Sequence, residues 1–154
     1  MIDTPQILDT EAQLTATLHL TVPSVRIREI MGPGLSELRA AVAAQGIDVT
    51  GPWFTHHFQR PTDTFDFEIC LPVASPISPS GRVQPGQWAA MELARTVYHG
   101  PYDKLREAWA DFDAWVVSQS LTPCTDLWER YLVGHDQSRA PASWRTELNR
   151  PLTA

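Results

Sequence analysis

The chain is 154 residues long, enough for one domain that buries roughly two-thirds of its unfolded surface. Its 43% hydrophobic content is that of an ordinary globular protein, and no apolar run approaches the about 20 residues of a membrane span. A net charge of −6, with Lys104 as the only lysine and no basic block, argues against binding to nucleic acid through phosphate contacts, and none is expected.

The N-terminus is polar and acidic rather than basic and then apolar, so no signal peptide is expected and the cytoplasm is the expected compartment. Gln13 to Thr21 alternates apolar and polar residues and reads as a first strand. Pro23-Ser24 opens a helix that the sequence interrupts at Gly32-Pro33-Gly34, resumes over Leu35 to Gln45 and stops at Gly46. Strands are expected over Trp53 to Gln59 and Thr64 to Val73, with Arg60 to Asp63 as the loop. The Pro/Ser stretch at 74–87 reads as a surface linker. Trp88 to Tyr98 then reads as a strand, Gly100-Pro101 opens a helix from Tyr102 to Gln119, and strands follow over Leu127 to Val133 and Trp144 to Arg150.

The order of parts occurs twice, in pseudo-repeats at about 13–73 and 88–152. Pro23 and Pro101 each separate a strand from a helix, Trp53 matches Trp128, and Glu68 to Val73 matches Glu147 to Leu152. The expected fold is α+β: one domain over 1–154, built of duplicated β-α-β-β units about a pseudo-two-fold axis. It has an antiparallel sheet, two main helices and a central cleft.

Chemistry concentrates at Trp128-Glu129-Arg130-Tyr131. On a strand, Glu129 and Tyr131 point one way and Trp128 and Arg130 the other. Pattern alone favours Trp128 inward and Glu129 in solvent, as for most strand acids. If Glu129 faces inward, its charge must be paired, neutralised or kept for a ligand. The second helix carries Leu105, Ala108, Trp109, Phe112, Trp115 and Val116 on one stripe, which is chiefly core. Rings around an acid also suit a lipophilic cation. His56 and His57 are adjacent on a strand and cannot share one metal, and Cys70 and Cys124 lie far apart, so no metal and no cofactor are expected. No nucleophile elbow, Walker loop, dinucleotide fingerprint or zincin motif occurs.

The run His99-Gly100-Pro101-Tyr102-Asp103-Lys104-Leu105, with Ala108-Trp109, Trp115, Trp128 to Tyr131, Trp144 to Leu148 and Pro151-Leu152, resembles the GyrI-like small-molecule-binding domain. That is the effector-binding domain of multidrug-responsive transcription activators. The resemblance covers about Gln13 to Leu152 and is more specific in the second half. It implies the duplicated fold inferred above and a stand-alone module, since about twelve residues before the first strand are too few for a helix-turn-helix.

It also implies that Glu129 faces the cleft and contacts the ligand, with Tyr131 beside it, which reverses the reading from pattern. Trp88, Tyr98, Trp109 and Trp115 are further lining candidates. Phe54 and His56, matched to Glu129 and Tyr131 by the internal repeat, are expected on the opposite wall. The leading expectation is a binder of lipophilic, in particular cationic, small molecules, acting as sensor or sequestering protein. The alternative is a hydrolase of strained, cyclopropane-bearing electrophiles, with Glu129 and Tyr131 as catalytic residues. A third is an inhibitor that contacts DNA gyrase.

Overall fold

The computed structural model describes residues 1–134 and 137–153. The chain forms two compact units, Glu11–Ala90 and a second made of Met1–Thr10 with Met91–Ala154. All strand pairings within each unit are antiparallel, and each unit carries one long helix, so the α+β class and its antiparallel sheet architecture are as the sequence implied.

Strand β1 (Gln6–Thr10) precedes the first unit in the chain but belongs to the second. The first unit contains β2 (Gln13–Pro23), α1 (Ile27–Ala44), β3 (Phe54–His57), β4 (Thr64–Pro72) and β5 (Val83–Trp88), in the order β3-β4-β2-β5. Helix α1 packs Leu35, Leu38 and Val42 inward over β2 and β4. It is continuous, and the interruption expected at Gly32-Pro33-Gly34 does not occur. Pro33 is exposed, while Gly34 brings the helix so close to the sheet that a Cβ there would lie 2.8 Å from Ile69 Cδ1. Tertiary packing thus outweighs the hydrogen bond that proline removes, a cost of about 3 kcal/mol.

The stretch expected to be linker contains β5, which pairs with β2 from Val83↔Leu18 to Trp88↔Gln13. Pro85 and Gly86 disguise it, and both are tolerable because β5 is the outer strand in this unit's order. Trp88 therefore ends β5 rather than opening the next strand.

The second unit contains β1, β6 (Met91–His99), α2 (Leu105–Ser118), β7 (Leu127–Val133) and β8 (Arg145–Pro151), in the order β1-β6-β8-β7. A 3-10 turn over Tyr102–Lys104 leads into α2. Ala108, Trp109, Phe112 and Val116 of α2 form a core with Ala94, Tyr98, Leu127 and Leu148, and Trp115 packs against it partly buried. On the opposite sheet face Glu147 lies between Arg95 (3.2 Å) and Arg130 (3.4 Å) and accepts a bond from the Asn149 amide at 3.0 Å. No described helix is long and apolar enough to cross a membrane.

Candidate functional site

The α2-facing side of the second unit places Glu129. Leu127 and Leu148 both lie in the α2 core, and Glu129 pairs with Leu148 while Tyr131 pairs with Thr146. Glu129 and Tyr131 therefore share the helix side, and Glu129 keeps only 8% of its exposure. Trp128, on the other face, is buried as well. Both faces of β7 are covered, which is why alternation alone could not assign an inward side.

Two neutral groups hold the carboxylate. The Trp109 indole N–H donates to Glu129 Oε2 at 2.7 Å, and the Tyr131 hydroxyl donates to Oε1 at 2.8 Å. These bonds supply partners that burial would otherwise deny. Trp109 reaches the acid from above because the α2 stripe places it over β7, and Tyr131 reaches it because residues two apart on a strand share a face.

Further rings continue from Tyr131. The Tyr102 ring meets it edge-on at 6.1 Å and stacks on Trp144 at 4.5 Å. The Trp144 N–H is tied to the Ser138 carbonyl at 2.9 Å. Tyr98 pairs with Thr146 and so shares a row with Tyr131. Its hydroxyl donates to the Pro101 carbonyl at 2.8 Å, and burial, reinforced by Asp103 and Glu107, pushes its pKa up. Gly100, at φ 138°, admits that geometry, since a Cβ there would lie 3.0 Å from the Tyr98 hydroxyl.

Glu129, Tyr131, Trp109 and Tyr98 are thus brought to one face, while Trp115 contributes to the apolar packing of α2. Tyr102 and Trp144 are additional members that the sequence reading did not select. Their signal was present as aromatics within the quoted motifs. They sit in a 3-10 turn and just ahead of β8, where no period says which way a side chain points.

The first unit groups the other candidates. Phe54 meets Trp88 edge-to-face at 5.2 Å, and His56 meets Phe58 in the same manner at 4.9 Å. Their equivalence to Glu129 and Tyr131 does not hold. Phe54 pairs with Cys70 and His56 with Glu68, whereas Ile69, the counterpart of Leu148, pairs with Thr55. Ile69 touches α1, so Thr55 and His57 face that helix and Phe54 and His56 point away from it. The matching residues are one position along, and a one-residue slip exchanges the faces of a strand. Thr55 and His57 even repeat the local bond, at 3.1 Å between Oγ1 and Nε2. Among the described residues, no group of three or more His, Cys, Asp or Glu side chains is arranged to hold a metal.

A family description, the GyrI-like small molecule binding domain, matches residues 3–152. No curated protein matches the chain. Among solved structures, the EcmrR C-terminal domain is similar at 22% identity and TM-score 0.83, covering 97% of each chain. Against EcmrR in its complex with DNA, the similarity covers 97% of this chain but 57% of that one. A hydrolase from Listeria innocua is similar at 12% identity and TM-score 0.71, over 97% of this chain and 91% of the other. SAV2435 bound to tetraphenylphosphonium is similar at 10% identity and TM-score 0.64, over 99% and 95%. At these identities the structural likenesses establish the fold.

Proposed function

The chain belongs to the GyrI-like small-molecule-binding family, and from that premise we propose that it binds lipophilic cations with Glu129 as their countercharge, acting in the cytoplasm as a sensor or sequestering protein. The observation that carries this reading is a buried carboxylate held by neutral donors. Trp109 and Tyr131 fix its position at 2.7 and 2.8 Å, and a carboxylate set among rings suits a lipophilic cation. Tyr131, Tyr102 and Trp144 supply ring surface for the lipophilic part. The similarity to a structure that holds tetraphenylphosphonium makes that cation a suitable probe.

The test is calorimetric titration with tetraphenylphosphonium and with triphenylphosphine oxide, a neutral compound of related shape, for the wild type and Glu129→Gln. Loss of the charge partner in a desolvated site is expected to weaken the cation by about 2–5 kcal/mol and the neutral compound far less. Equal weakening of both compounds sinks the electrostatic role.

The direct bond between the Tyr131 hydroxyl and Glu129 favours a second reading, in which Glu129 activates water against a strained electrophile and Tyr131 orients the attack. Incubation with a cyclopropane-bearing electrophile and mass analysis decides it: turnover gives a water adduct at catalytic amounts of protein, and simple binding gives none.

A further inference from the structure

Trp109 is engaged at two places. Its N–H meets Glu129 at 2.7 Å, and the guanidinium carbon of Arg150 lies over its ring at 5.3 Å from the centroid. Arg150 is itself buried and tightly held. Its Nε donates to Asp113 Oδ1 at 3.0 Å and its Nη2 to Asp113 Oδ2 at 2.8 Å, a two-pronged pairing. Its Nη1 donates to the Asp126 carbonyl at 3.1 Å and the Cys124 carbonyl at 3.4 Å. Asp113 stands four residues after Trp109 on α2, so the clamp and the indole share one helix face. Arg150 stands on β8, paired with Ala94 of β6, both strands of the sheet beneath.

We propose that Arg150 is the positioning and specificity-determining residue of this site: it sets the Trp109 indole so that its N–H meets Glu129, and it takes the ring face that a ligand cation would otherwise use. The inference rests on the reading of Glu129 as the ligand's countercharge. A second cation on that ring face would lie beside a guanidinium and be repelled. Trp109 therefore serves as a hydrogen-bond donor to the acid rather than as an aromatic wall, and cation–ring contact falls to Tyr131, Tyr102 and Trp144. The planar fork matters, because a lysine ammonium cannot make the paired bonds to Asp113 and also lie flat on the indole.

A merely structural ion pair would lower the melting temperature on removal and leave ligand selectivity alone. The experiment therefore reads two other quantities on the full chain carrying Arg150→Met. One is the position of the Trp109 indole N–H signal in a proton–nitrogen NMR spectrum, assigned by its absence from Trp109→Phe. The other is the ratio of dissociation constants for tetraphenylphosphonium and triphenylphosphine oxide.

The expected result is a move of the indole signal toward that of a free indole, as in Glu129→Gln, with a gain of about tenfold in preference for the cation, because the guanidinium that held the ring face and repelled a second cation is gone. An indole signal at its wild-type position, with preference changed by less than about twofold, overturns the proposal. If Arg150→Met is too unstable to measure, Arg150→Lys is read in the same two assays against the same limits. If the wild type shows no preference for the cation, the Glu129 reading fails, and the indole signal alone then decides whether Arg150 positions Trp109.

Discussion

Glu129 combines two demands that oppose each other, concealment from water and the need of a polar group for hydrogen-bond partners. The bonds from Trp109 and Tyr131 reconcile them, so the acid is a partner in the empty fold rather than an unpaired burden on it. Glu129→Leu is accordingly expected to destabilise the protein by about 2–4 kcal/mol in urea unfolding, because it leaves an indole N–H and a phenol without their acceptor. Glu129→Gln should cost less, since the Tyr131 hydroxyl can turn to accept from the new amide. Thiols offer a second check at this scale. Burial, with Glu68 alongside, pushes the Cys70 thiol well above its ordinary value, and burial raises Cys124 as well. With Ellman's reagent in mildly alkaline buffer, Cys70 should stay unmodified until the protein unfolds, while the partly exposed Cys124 reacts first.

Asp66 shows the sign of a pH effect. A hydrogen bond from His19, at 2.6 Å, holds its carboxyl below the usual range, aided by one from Thr21. A depressed carboxylate contributes stability above its unfolded pKa and loses it as pH falls through the folded one. Asp66→Asn should therefore be less stable than the wild type at neutral pH, with the two converging as pH falls through the lowered folded-state pKa of Asp66. The effect is small, because the pair is exposed to solvent and salt.

Among the elements, α1 teaches how far a local signal carries. Gly32-Pro33-Gly34 reads as a break, yet Leu35, Leu38 and Val42 hold the helix against β2 and β4 through it. The two glycines then differ in what they do. Gly34→Ala should destabilise by about 1–3 kcal/mol, since its Cβ would meet Ile69 Cδ1 at 2.8 Å. Gly32→Ala has nothing within 4 Å and should stabilise by about 0.5–1 kcal/mol through helix propensity. Chemical denaturation of the two variants separates packing from propensity. Strand β7 was legible to the residue because its apolar run is bounded on both sides. The facing of β3 was not, because Trp53, Phe54, Thr55 and His57 are all buried and a buried strand loses its alternation.

At the scale of the whole molecule, the chain order of the units matters more than their length. The second unit takes its outer strand β1 from the far end of the chain, with Gln6 paired to Arg95 and Thr10 to Met91. Asp3 N–H also reaches the Val97 carbonyl at 2.9 Å, and the Thr96 hydroxyl reaches the Asp3 carbonyl at 2.7 Å. Deleting Met1 to Thr10 is expected to lower the melting temperature and to promote self-association through the bared edge of β6, read by size-exclusion chromatography. Neither β1 nor its partner carries a turn signal that announces the pairing, and an interaction spanning more than eighty residues leaves no local trace.

What the sequence determined by itself was six of the strands, both long helices, the duplication and the family, all of which reside in local patterning and quotable motifs, while β1 and β5 escaped it. Only the tertiary structure decided that Glu129 faces α2, that Trp109 and Tyr131 hold it, that Arg150 claims the indole ring, and that Thr55 and His57 rather than Phe54 and His56 occupy the matching places. The reason is physical. Propensity and period act over a few residues, whereas the register of a strand and the bond made by a buried polar group depend on which distant element closes over it.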